Sequence, residues 1–212
     1  MSSVSQNLIQ SSTCCAGRFN FVDSLTRFSY TVRMNPTILI LPGWQDSGPE
    51  HWQSLWLAKF PNAVKVEQAD WMNPKKDDWV ATLNDYVSRY DEVVLVAHSL
   101  GCPLVAHWAK EHPENTARVK GALLVAPGDA DAPDFPQDMQ GFSPVPLKPL
   151  RFKSILVTSD NDKWVSLERA QHFANAWNSQ FINIGAQGHI NTAAGMGDWP
   201  EGERLVEELL GE

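Results

Sequence analysis

Three kinds of side chain in this sequence could together break an acyl bond: a serine, Ser99, a histidine, His189, and an acid, Asp162 or Asp160. A serine hydroxyl is a poor nucleophile near neutral pH and needs a base to take its proton as it attacks. An imidazole suits that task because it titrates near working pH. A carboxylate then holds the ring in the tautomer that leaves one nitrogen free, and stabilises the imidazolium that forms. Asp162 is the first choice and Asp160 the reserve, since spacing alone does not say which side chain turns toward His189. His98, His107, His112 and His172 read as turn, surface or packing residues, and His98, just before the serine, is expected to face away from its hydroxyl. His189 stands apart because Gly185 and Gly188 let its loop bend toward a cleft.

The elements that must position these residues are legible as aliphatic runs. Val93 to Val96 reads as a strand buried on both faces, followed through Ala97-His98-Ser99-Leu100-Gly101 by the helix-compatible run Leu104 to Lys110. Strand, sharp turn and helix with a serine at the apex is a nucleophile elbow, here A-x-S-x-G in place of G-x-S-x-G. Further strands are expected over 37–41, 63–67, 121–126, 154–158 and 180–184. Helices are expected over 49–59, 77–90, 167–177 and 201–210. Short strands alternating with helices predict a doubly wound, mainly parallel sheet of about six strands with helices on both faces. The proline-rich stretch from Pro127 to Pro149 suits neither a long helix nor a central strand and is read as an ordered excursion near the cleft, with a lid as one use.

In such sheets function sits beyond the carboxyl ends of the strands. Serine, then acid, then histidine, each after its own strand, is the chain order of the α/β-hydrolase triad. The oxyanion formed on attack needs preorganised donors. One is the backbone N–H of Leu100, and the other should come from Trp44 or its neighbour, with Gly43 supplying the backbone freedom. Asp46, His51 and Trp164 are placed to touch a substrate, although Asp46 and His51 could equally cap and solvate the helix that starts near Pro49.

Composition narrows the class. The chain of 212 residues has 43% hydrophobic and 20% charged residues and a net charge of −8. That balance suits one globular domain and argues against nucleic acid or an anionic membrane surface as the main partner. No apolar run approaches the ~18 residues of a membrane span. Three cysteines, two of them adjacent, form neither a disulfide framework nor a metal-ligand spacing, which suits a cytoplasmic location and implies no metal or cofactor. Residues 1–33 hold seven serines, three arginines and one acid. They read as a disordered leader without the basic start and apolar centre of a signal peptide, leaving 34–212 as the α/β-hydrolase domain.

The motifs Leu-Pro-Gly-Trp (41–44), Ser-Gly-Pro-Glu-His-Trp-Gln (47–53), Ala-His-Ser-Leu-Gly-Cys (97–102), Ser-Asp-Asn-Asp-Lys-Trp-Val (159–165), Gly-His-Ile-Asn (188–191) and Gly-x-Gly-x-Trp-Pro-Glu-Gly (195–202) are similar to those of one family. Together they resemble the small serine hydrolases related to retinoblastoma-binding protein 9 and bacterial YdeN, from about Ile38 to the end. The resemblance implies a compact α/β-hydrolase without a large cap, a Ser99–Asp162–His189 triad, and hydrolysis of esters or amides. It makes Ala97 a family feature. Some relatives are described as protein binders. The reading is therefore a carboxylesterase-like serine hydrolase that cleaves a small ester, thioester or amide through an acyl-enzyme. The alternatives are a protein-interaction module on the same fold, or acyl transfer to an acceptor other than water.

Overall fold

The computed structural model describes residues 35–136 and 138–211; the leader expected over 1–33 lies outside the described residues. Six strands form one sheet in the order β2-β1-β3-β4-β5-β6: β1 (Thr37–Leu41), β2 (Ala63–Lys65), β3 (Val93–His98), β4 (Val119–Val125), β5 (Lys153–Thr158) and β6 (Gln180–Asn183). Every pairing is parallel. Parallel neighbours need crossovers, and helices α1 (Trp52–Lys59), α2 (Lys76–Ser88), α3 (Gly101–Glu111), α4 (Leu167–Trp177) and α5 (Pro200–Leu210) lie between or after the strands.

The aliphatic strands are buried on both faces because both faces carry helices. Along β1, Leu39 and Leu41 pack with Trp79 and Leu83 of α2, Leu104 of α3 and Phe173 of α4. Ile38 and Ile40, pointing the other way, pack with Trp52 and Trp56 of α1 and Val206 of α5. Period-two alternation in the strand thus divides one run of apolar residues between two cores. Trp52, Trp56 and Trp199 form an aromatic cluster in the second core, with ring centroids 4.7–6.0 Å apart.

Two helix starts lie three residues from the periodicity reading. Helix α1 begins at Trp52, three residues after Pro49, because His51 stays extended and its Nδ1 accepts the Gln53 N–H. Helix α3 begins at Gly101, directly after the elbow, where Pro103 is tolerated since first-turn amides have no intrahelical partner. The excursion after β4 holds no helix or strand among the described residues. It is fastened: Arg169 of α4 pairs with Asp129 and Asp131, Trp177 Nε1–H donates to Pro146 O, and the Gln140 backbone bonds Pro74 and Lys76. No helix among the described residues is long and apolar enough to cross a membrane.

The sheet order reverses between β1 and β3, so the loops after those strands separate and leave a crevice at their carboxyl ends. Helix α3 leaves the crevice floor pressed against the end of β1. A Cβ on Gly101 would stand 2.5 Å from Leu41 O and 3.2 Å from Pro42 O. Glycine to alanine in a helix is ordinarily favourable by about 1 kcal/mol, but forced overlap with backbone costs about 1–3 kcal/mol. The clash wins here. Gly101→Ala should therefore lower the urea unfolding midpoint with an unchanged m-value; a midpoint at or above wild type would show that the elbow has room the structure does not give it.

Candidate active site

The crevice floor is the turn after β3. Ser99 has φ +54, an uncommon conformation for a side-chain-bearing residue, which tips its hydroxyl out at the apex of the turn. The turn is fixed by Ser99 N–H to Val125 O at 3.0 Å, and by Ser99 O accepting from Cys102 and Gly128. His189 Nε2 stands 2.9 Å from Ser99 Oγ. His189 Nδ1 lies 2.8 and 2.9 Å from the two oxygens of Asp162. A carboxylate only accepts, so Nδ1 carries the ring proton and Nε2 presents its lone pair to the serine hydroxyl.

Of the two candidate acids, the structure turns Asp162 toward the ring. Its side chain is fully buried and also accepts the Trp164 N–H at 2.9 Å. Asp160 accepts from Asn183 Nδ2 at the exposed edge instead.

Both expected oxyanion donors lie beside the serine. Neither the Leu100 nor the Trp44 amide takes a hydrogen bond among the described residues. The approach of the two loops depends on Gly43, where a Cβ would sit 2.7 Å from Ser99 Cβ and 3.2 Å from the Leu100 nitrogen. Gly43, Trp44, Asp46, His51, Leu100, Trp164 and His189 all border one cavity of about 340 Å³ around Ser99, with Phe135 and Met139 of the excursion on its far side. Asp46 is held by Lys65 of β2 at 2.7 Å, and His51 both caps α1 and lines the cavity. For His51 the capping reading is realised, and the residue also borders the cavity.

Several residues that position the site lie within the quoted motifs, but sequence reasoning gave them no positioning role. The histidine loop is stapled to the acid loop by Gln187 N–H to Ser159 Oγ at 2.9 Å and Gly188 N–H to Asn161 Oδ1 at 2.7 Å. From the opposite side, Trp52 Nε1–H donates to Ile190 O at 2.9 Å. His98 Nε2–H donates to His189 O at the same distance, so His98, read from the sequence as a turn, surface or packing residue, is buried and also carries the backbone of the neighbouring ring. Gln53, fully buried, donates to Leu41 O and Val96 O and accepts from Ser47, tying β1, β3 and the loop after β1 together. The signal available in sequence was polar residues at positions facing a core. Among the other histidines, His107 donates to Phe142 O within the core and His172 is exposed.

His51, His98 and His189 form a row, with ring centroids 4.8 and 4.9 Å apart. Burial, then the neighbouring His189, lowers His51 to about 4. Burial, His189 and His51 hold His98 well below the ordinary histidine range. Both therefore stay neutral at physiological pH. No group of three or more His, Cys, Asp or Glu among the described residues is placed to hold a metal ion.

A family model described as serine hydrolase matches residues 38–208. The chain belongs to the serine hydrolase family. Bacillus subtilis (strain 168) YdeN, named as a hydrolase, is 35% identical over 100 residues, which span 44% of this chain and 51%, about half, of that curated relative. A YdeN-like hydrolase from Pectobacterium atrosepticum is 31% identical with a TM-score of 0.73, covering 84% of this chain and 91% of the other. The B. subtilis ydeN gene product has a TM-score of 0.68 at 20% identity, covering 84% and 100%. The YdeN-like resemblance and the compact fold without a large cap domain are thereby borne out.

The neutral histidines make this serine hydrolase sensitive to acid in a definite direction. In the unfolded chain a histidine takes up a proton near 6.5, while the folded His51 and His98 resist until well below that. The contribution of His51 to stability is full above about pH 6.5 and is lost as pH falls toward about 4, by about 1.4 kcal/mol per pH unit; that of His98 is lost in the same direction. His51→Phe should make the fall in unfolding free energy between pH 6.5 and 4.5 shallower by about that slope. An equal slope in both proteins, measured by urea titration across the range, would refute it.

Proposed function

We propose that this protein hydrolyses small esters, thioesters or amides through an acyl-enzyme on Ser99. The reading rests on one observation: Ser99 Oγ, the His189 ring and the Asp162 carboxylate stand in a continuous hydrogen-bonded line bordering a cavity. As Ser99 Oγ attacks the carbonyl carbon, its proton passes to His189 Nε2, and Asp162 stabilises the imidazolium. The carbonyl oxygen, now an oxyanion, receives the free amides of Leu100 and Trp44, each such donor contributing about 10²–10³ in rate. The tetrahedral adduct collapses, His189 returns its proton to the leaving alcohol, thiol or amine, and the acyl group stays on Ser99. Water then repeats the sequence with His189 as base, releasing the acid. The cavity's size and its aromatic wall of Trp44, Phe135 and Trp164 suit a short acyl chain, with a small-molecule substrate as the partner.

The test is labelling with a fluorophosphonate read by intact mass. Wild type should take one adduct, and Ser99→Ala and His189→Ala none. No adduct on folded wild type would overturn the mechanism and favour an interaction module. The roles of the two acids separate on turnover of a 4-nitrophenyl ester. Asp162→Asn should lose about 10⁴ in kcat by leaving the ring in the wrong tautomer, whereas Asp160→Asn should stay within about tenfold, since its loss removes one exposed hydrogen bond of about 1 kcal/mol.

A further inference from the structure

Two polar atoms of residues that border the cavity are buried without a partner among the described residues: His51 Nε2 and Asp46 Oδ1. His51 is only 6% exposed. Both residues border the cavity around Ser99, and both border an adjoining one of about 450 Å³ that runs out past Asn191. Leaving such atoms unpaired costs about 1–3 kcal/mol each, and buried orphans are few enough in folded proteins to point to an occupant.

Their chemistry is of opposite sense. His51 Nδ1 is used up accepting the Gln53 N–H at 3.2 Å, so in the neutral ring the proton sits on Nε2, a donor. Burial keeps the ring neutral. Asp46 Oδ2 is engaged by Lys65 at 2.7 Å, which leaves Oδ1 with free lone pairs, an acceptor only. A carbonyl or carboxylate could satisfy His51 but would face the Asp46 oxygen unfavourably. An ammonium could satisfy Asp46 but offers nothing to His51 Nε2–H. One hydroxyl oxygen can accept from the first and donate to the second.

We infer that the substrate carries a free hydroxyl near the scissile carbonyl, received by His51 Nε2–H and given to Asp46 Oδ1, so that the preferred substrates are esters of a hydroxy acid or of a polyol. This rests on the hydrolase reading above and narrows its substrate class. Asp46 and His51 are then specificity residues. The loop that carries them also supplies the Trp44 amide, which places the hydroxyl contact on the same segment as one oxyanion donor.

Two matched pairs of esters test it: methyl 3-hydroxybutyrate against methyl butyrate, with the hydroxyl on the acyl side, and glycerol 1-monobutyrate against propyl butyrate, with it on the alcohol side. In wild type, kcat/KM should favour the hydroxylated member of at least one pair by tenfold or more, and that pair identifies the side. The ratio should fall to within twofold in His51→Phe and in Asp46→Leu. Because it compares two substrates on one protein, partial loss of folded enzyme does not alter it. Ratios within twofold for both pairs in wild type, or ratios that survive both substitutions, would overturn the inference. Binding to Ser99→Ala is followed in parallel by the histidine ¹⁵N resonances during titration with the same four esters. The His51 Nε2 signal should move with a hydroxylated ester and not with its partner; equal shifts or none overturn the hydroxyl site. Failure of wild type to take the fluorophosphonate would instead sink the hydrolase reading, while the resonance titration still decides the hydroxyl contact.

Discussion

The arrangement around Ser99 depends on where the His189 ring is held. That residue lies in an irregular loop after β6, an edge strand only partly buried, and no helix or strand of its own fixes it. Its placement comes from outside. Asp162 takes Nδ1, Ser159 and Asn161 take the loop amides, and Trp52 and His98 take the carbonyls of Ile190 and His189. Both N–H and C=O groups of the loop are thus anchored, on two sides, to elements far apart in sequence. Each bond contributes about 1 kcal/mol, but their joint effect is geometric. In the proposed mechanism the general base must hold its nitrogen within hydrogen-bond reach of the serine, and small displacements there are costly in rate.

The second constraint is closeness at the topological switch. The loop after β1 and the turn after β3 must approach closely enough for the Trp44 and Leu100 amides to meet the oxyanion of the proposed mechanism, and the helix after the turn must leave without moving β1. Gly43 and Gly101 stand at the two contacts where a Cβ would strike backbone or the serine itself. Gln53 then satisfies the carbonyls of Leu41 and Val96 at the ends of β1 and β3, which a buried strand end could not leave unpaired. Ser99 absorbs the resulting strain at φ +54. Strain of this kind persists only where surrounding structure over-determines it, and the three parallel strands behind the elbow supply that rigidity.

Electrostatically the site separates its histidines by environment. His51 and His98 are buried beside His189, and a positive charge on either would be both desolvated and repelled. They remain neutral donors: His98 to a backbone carbonyl, and His51 with an Nε2–H that has no partner among the described residues. Among the described residues, His189 alone in the row has a carboxylate bonded to its ring, which suits it to the proton-accepting role proposed for it. Three rings of one residue type thus serve three purposes, distinguished by what each nitrogen meets.

Much of this was determined by sequence alone. The aliphatic runs from Thr37 to Leu41 and Val93 to Val96 are too apolar to be anything but strands covered on both faces, and their alternation with helical segments dictates a parallel sheet. That in turn sends the loops carrying Ser99, the acid and His189 to one edge. Local chemistry also marked Ser99, because a strand–turn–helix with small flanking residues is a short-range pattern. The choice between Asp162 and Asp160 was different in kind: two residues apart on one loop, they differ only in which side chain turns inward. The structure turns Asp162 to the ring and Asp160 to Asn183. The same holds for Ser159, Asn161, Gln53 and His98, whose roles arise from hydrogen bonds spanning 27 to 91 residues of chain. Periodicity and propensity act over a few residues and decide which elements form. Where a polar side chain finds its partner depends on which loops the folded sheet brings together, and only the tertiary structure decides that.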